Sequence, residues 1–238
     1  MGSSGDNGSS NKLFVHHSMK TNFVAGLNAI LTEEHKDVIS KTPFAWFLEL
    51  QDNLKIGRNI LSDLLIRWVD ERGGFKFGDK FVEFKEVDVS LALGLGLVGD
   101  EINLNAKYFS PSPLQKYFGK AKGKYELDMI YHFVLKEHKK LPCKDVCSLY
   151  VFVGISEVLL PCRTRIVFPN LFEIVDSTSD LSPFCWDRTV YRYLLSSFSK
   201  AFVAWKGGKG ATTVYVDGCV YVFKVNFLHA LFVGNYFK

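Results

Sequence analysis

Residues 60–99 constrain the chain most, because a helix, a glycine stop, a tight hairpin and a second helix follow one another there in unbroken succession. Ile60, Leu61, Leu64, Leu65 and Trp68 recur at helical spacing, while Asp63, Arg67, Asp70, Glu71 and Arg72 cover the opposite side. One face of this helix therefore needs an apolar partner. Gly73-Gly74 can take the positive φ that ends a helix, and Phe75 to Phe77 and Phe81 to Phe84 alternate apolar and polar around Gly78-Asp79, which predicts a hairpin near 75–84. Asp88 stands at the N-cap position of a short apolar helix through Val89, Leu91, Ala92 and Leu93, which Gly94 closes. These signals predict a folding nucleus and carry no chemistry.

A chain of 238 residues with 47% hydrophobic and 15% aromatic residues, 21 of them Phe, belongs to the globular class and can bury a large core. The most apolar stretch, 214–237, is interrupted by Lys224 and His229, so no membrane span is expected. The formal charge of +4 is unevenly spread. Residues 1–106 carry 11 basic and 15 acidic side chains, residues 107–140 carry 8 and 3, and the remainder 10 and 7. The basic excess thus begins at Lys107 and is compatible with an acidic partner, nucleic acid or a solvated lysine face. Five cysteines without a secretory signal read as reduced thiols.

The expected organisation is a disordered Gly/Ser/Asn tail over residues 1–19 and one domain over 20–238, with a candidate subdomain border near 100–124, where Pro111, Pro113, Gly119 and Gly123 cluster. Helical stripes run through Phe23 to Leu31, from Thr32 to Ile39, and through Leu127 to Leu135. Residues 143–160 are hydrophobic nearly all round, which predicts a central buried helix, and Trp186, Val190, Leu194, Phe198 and Ala201 lie along one face of another. A short strand is expected near 212–216, and Cys219 to Phe232 is expected as a buried helix or strand, with helix preferred because the run exceeds an average strand about twofold. The fold class is therefore mainly α, with a small hairpin and a short strand. Trp68, Leu91, Phe152 and Leu194 are expected in the core.

Each chemical motif has a plainer structural reading. Gly94, Gly96 and Gly99 match G-x-G-x-x-G, but they follow a helix and lead into Asp100-Glu101, which would repel a pyrophosphate, so they read as a helix stop. His132, His138, Cys143 and Cys147 could be drawn as a zinc set, yet the six-residue step between the histidines puts them on different helix faces. Cys185 or Cys219 as a nucleophile would depend on His229, which has no neighbouring carboxylate. No cofactor is expected. Lys116, Lys120, Lys122 and Lys124, interleaved with Tyr117, Phe118 and Tyr125, form the candidate nucleic-acid contact, since lysines neutralise phosphate and exposed aromatics stack on bases.

Several ordered blocks carry a family likeness. Gly74-Phe75-Lys76-Phe77-Gly78-Asp79-Lys80, Asp88-Val89-Ser90-Leu91-Ala92-Leu93-Gly94-Leu95, Ser156-Glu157 through Pro161, Phe184-Cys185-Trp186, Val190 to Ala201 and Gly218 to Val222 resemble the plant mobile domain. That family is also labelled aminotransferase-like and shades into a plant domain found ahead of SUMO-protease-like modules. The likeness spans about residues 22–234. It implies a mainly helical, non-enzymatic interaction module related to transposable elements, placed in the nucleus, with the cytoplasm as the alternative. It also implies links to silencing or genome maintenance and a phosphatase-like or chromatin-associated protein partner. The alternatives are nucleic-acid binding through the basic segment, and a transposon-encoded fragment acting with a SUMO-protease-like domain that this sequence lacks. Two departures from the family pattern stand out: Asp187 replaces a glycine, and Asn226-Phe227 replaces a Leu-Trp pair.

Overall fold

The computed structural model describes residues 13–52, 54–106, 112–121, 123–176, 181–208 and 211–225, and the fold is mainly helical. Strand β1 (Leu13–His17) leads into helices α1 (Asn22–Asn28), α2 (Glu33–Ser40) and α3 (Arg58–Arg67). A three-stranded antiparallel sheet follows, from β2 (Trp68–Val69), β3 (Gly74–Phe77) and β4 (Lys80–Glu83), then α4 (Glu86–Leu93). The second half holds α5 (Leu127–Glu137), α6 (Cys143–Gly154), α7 (Leu171–Asp176), α8 (Trp186–Gly207) and β5 (Thr212–Val216).

Helix α6 is the axis of the core. Every residue from 146 to 161 is buried, and α1, α2, α5 and α7 pack around it. Phe152 stacks on Phe172 at 4.2 Å, and the Phe47 ring passes so close to Gly154 that any side chain there would collide with it. One polar pair inside is matched: the Tyr150 hydroxyl donates to Asn28 at 2.7 Å, while Asn28 Nδ2 donates to the carbonyls of Phe47, Leu48 and Leu50.

At its C-terminal end α6 widens into a π turn (Ile155–Leu159), closed by the Leu160 amide donating to the Ile155 carbonyl at 2.8 Å. The turn carries Glu157, which is 1% exposed. Its carboxylate accepts from the Phe23 amide at 3.0 Å and the Val24 amide at 2.9 Å, in the first turn of α1, where Thr21 supplies no side-chain cap. The cap comes instead from the core. Burial pushes the Glu157 carboxyl above the usual glutamate range, against the pull of those two amides and the charges of Arg165 and Lys20.

The hairpin expected near 75–84 is present, and it gains a third strand because Trp68 leaves the helix and pairs with Phe75. Trp68, Phe75, Phe84, Phe198 and Phe223 form one aromatic cluster, with Phe84 and Phe223 at 4.9 Å and Trp68 and Phe198 at 5.2 Å. The strand expected near 212–216 is β5. The tail expected over 1–19 gives way at Leu13: β1 pairs in parallel with β5, Leu13 opposite Thr212, and buries Val15, with Met19 buried just beyond it. A partner so distant in sequence leaves no local signal in β1. Residues 1–12 lie outside the described residues.

The expected border near 100–124 does not divide the core. Leu114 and Phe118, in a 3₁₀ segment (Pro113–Ala121), belong to the same buried cluster as residues from both halves. Of the helix expected from Cys219, residues 221–225 are helical, Cys219 and Val220 belong to the turn before it, and residues from 226 on lie outside the described residues. Among the described residues no helix is long and apolar enough to cross a membrane.

Candidate interaction surface

Helix α4 is tied down at both ends. Its N-cap is Lys85, three residues before the expected Asp88, because the Asp88 carboxylate reaches back to accept from the Lys85 amide at 2.7 Å. Gly94, at φ 66°, closes the helix in the left-handed region, and the Ser90 hydroxyl donates to the Leu95 carbonyl at 2.5 Å. On the inner side Val89 and Leu93 are buried and α4 packs on α8, where Arg188 pairs with Glu86 at 3.1 Å and the Tyr191 hydroxyl donates to the Phe84 carbonyl at 3.0 Å.

The outer side is apolar and open. Leu91, expected in the core, is 78% exposed, and Val87 one turn before it is 39% exposed. Leu97 and Val98, beyond the glycine turn, are 47% and 87% exposed. The sequence signal was there: α4 is apolar on two faces, and α8 and its neighbours cover one of them. Leu97 is held beside the start of α8, where the Cys185 thiol lies 3.7 Å from its carbonyl. The next residues form a parallel bridge, with the Asp100 amide donating to Pro183 at 2.6 Å and the Cys185 amide donating to Asp100 at 2.9 Å. Gly99 permits that contact, since a Cβ would collide with the backbone of residues 183–185. Two glycines of the G-x-G-x-x-G pattern thus have structural duties.

Past the bridge, the chain and α8 border an open groove of about 640 Å³ lined by Glu101, Asn103, Asn105, Arg188, Arg192 and Ser196 among others. Arg192 pairs with Glu101, and Asn170 donates to the Asn103 carbonyl, fixing the groove wall. Both arginines are therefore already matched by carboxylates.

The expected chemical sites fare differently. Lys116 and Lys124 are exposed, whereas the side chain of Lys120 and all of Lys122 lie outside the described residues. The aromatics between them are not available for stacking: Phe118 and Tyr125 are buried against Phe172, and the half-buried Tyr117 donates its hydroxyl to Asp145 at 2.5 Å, which pushes its phenol up to about 12. The described residues include no group of three or more side chains able to hold a metal. His132 and His138 each direct Nδ1 to a carbonyl of their own helix. Cys219 is buried, with its thiol pushed up to about 12 by desolvation, and burial first and then Asp187 push up that of Cys185. Asp187 is itself fully buried and accepts from the Cys185 thiol at 3.1 Å. His229, Asn226 and Phe227 lie outside the described residues.

Residues 19–224 match the model of a family described as a domain of unknown function, DUF8566. No curated protein and no solved structure matches the chain.

Proposed function

The chain belongs to the DUF8566 family, and from that premise and the open face of α4 we propose that it is a non-enzymatic protein-interaction module. The reading follows the plant mobile-domain resemblance in placing this activity in the nucleus, beside silencing or genome-maintenance factors. Its partner is a phosphatase-like or chromatin-associated protein. The observation that carries it is the exposure of Val87 and Leu91 on α4 and of Leu97 and Val98 in the segment that follows it, while Val89 and Leu93 of the same helix are buried. Exposed apolar side chains of this kind are what a docking partner removes from water. Burial of Cys185 and Cys219, which pushes both thiols up, argues against either as a nucleophile.

Affinity capture from plant nuclear extract, run with the wild-type chain and with Leu91→Asp, tests this. A protein retained by the wild type and lost by the variant, with unchanged circular dichroism and melting temperature, is the expected result. Identical recovery by both folded chains would overturn it. A fluorescent fusion excluded from nuclei would remove the nuclear assignment.

A further inference from the structure

The stacking chemistry expected of the 116–125 segment, whose rings are buried or bound to Asp145, is present instead on the outer face of the β1–β5 pair. We infer that this face binds single-stranded nucleic acid, with bases stacking on its rings and Arg163 meeting a phosphate. Alternation along the strands builds the face. Val15, Val214 and Val216 point inward and are buried, so Phe14, His16, Thr213 and Tyr215 share the other side. Register sets Phe14 opposite Thr213 and His16 opposite Tyr215. Phe14 is 43% exposed and Tyr215 is 44% exposed. The His16 and Tyr215 rings stack at 5.3 Å, and the Arg163 guanidinium lies over the Tyr215 ring at 4.7 Å. A row of rings thus ends in a cation. The inference is independent of the reading of α4.

Charge and size select the occupant. A guanidinium lying over a ring keeps its N–H edge for an anion, and among the described residues Arg163 enters no ion pair. Asp217, an acidic group at this corner, is taken up by the Arg163 amide at 2.9 Å and by the Ser18 hydroxyl. Further bonds run from the Ser18 amide to the Val216 carbonyl at 3.2 Å and from the Asp217 amide to the Ser197 hydroxyl at 2.7 Å. The ends of both strands are therefore held, and the face is preorganised. Phe14 and His16 project two residues apart, about 7 Å along the strand, so successive bases of an unpaired strand can each meet a ring. A duplex keeps its base faces stacked inside and offers this surface only phosphates. Two strands of five residues present roughly 17 Å by 10 Å, far less than the ~800 Å² that each side of a stable protein interface buries. A second copy would also bring two Arg163 guanidinium groups onto the same small face.

The test is fluorescence anisotropy of labelled oligouridylate and oligothymidylate of about twelve nucleotides, with a duplex of the same length, measured with the full chain at rising salt. Single strands are expected to bind more tightly than the duplex and to weaken as salt rises. Tyr215→Ala and Phe14→Ala should each weaken binding at least about fivefold. Arg163→Gln should weaken it and reduce the salt dependence, and Tyr215→Phe, which keeps the ring, should retain it. Circular dichroism and melting temperature check that each variant folds, and Arg163→Gln with Tyr215→Phe carries the test if an alanine variant does not. Absence of single-strand binding at low salt, equal binding of the duplex, or indifference to both Tyr215→Ala and Arg163→Gln would overturn the inference. Loss of binding when Lys116→Gln and Lys124→Gln are combined, with none in Tyr215→Ala, would overturn it in favour of the basic segment. A wild-type dimer in sedimentation that Tyr215→Ala dissolves would assign the face to a second copy instead.

Discussion

Helices α6 and α4 both carry apolar residues on more than one face, yet residues 146–154 of α6 are entirely buried while α4 leaves Val87 and Leu91 in water. The difference lies in their neighbours. Four helices surround α6, whereas α4 is a short element held on one side by α8 and pinned by its caps. A helix apolar on more than one face is thus a core axis where several elements cover it, and keeps an exposed apolar side where, among the described residues, neighbours pack on one side alone.

The largest effect that could break this contrast is Phe152→Ala, expected to cost about 3 to 5 kcal/mol by chemical denaturation, because it empties space against Phe172 at the core axis. A loss below about 1 kcal/mol would mean that α6 is not the packing centre. Gly99→Ala should cost roughly 1 to 3 kcal/mol, since its methyl meets the backbone of residues 183–185 and must loosen the bridge that holds the α4 side in place. Thermal melting would check this, and an unchanged melting temperature would show that the bridge is dispensable.

A pH titration sharpens the α6 side of the comparison. The folded chain holds the Glu157 proton at pH values where the unfolded chain has released it, because the carboxyl is raised on burial. Stability relative to Glu157→Gln should therefore fall as pH climbs from the ordinary glutamate range through the raised folded value, and level off above it. A rise across that window would mean that the amides of Phe23 and Val24 outweigh desolvation. Smallest of all is Leu91→Ala, expected within about 0.5 kcal/mol of wild type, in contrast to the cost of about 2 to 5 kcal/mol for the buried Leu194→Ala.

Much of the fold was legible because its signals are local. Thr32 and Gly94 announced helix ends that exist, Gly78-Asp79 announced the hairpin, and the stripe from Trp186 to Ala201 announced α8. The candidate site was less so. Lysines and aromatics alternating near 116–125 suggested a stacking surface, but Phe118 and Tyr125 were drawn into the core by Phe172, which sequence spacing cannot foresee. Leu91 failed in the opposite sense, since its pattern promised burial and, among the described residues, its side chain stays 78% exposed.

The amino-acid order by itself determined the mainly helical class, the hairpin at Gly78-Asp79 and the helix ends at Thr32 and Gly94, because capping, glycine conformation and periodicity act within a few residues. Only the tertiary structure decided that β1 pairs with β5, that Glu157 caps α1 and that α4 turns an aliphatic face outward. Those outcomes depend on which surfaces meet after the chain closes over long separations, and burial is a property of the pair of surfaces rather than of either one alone.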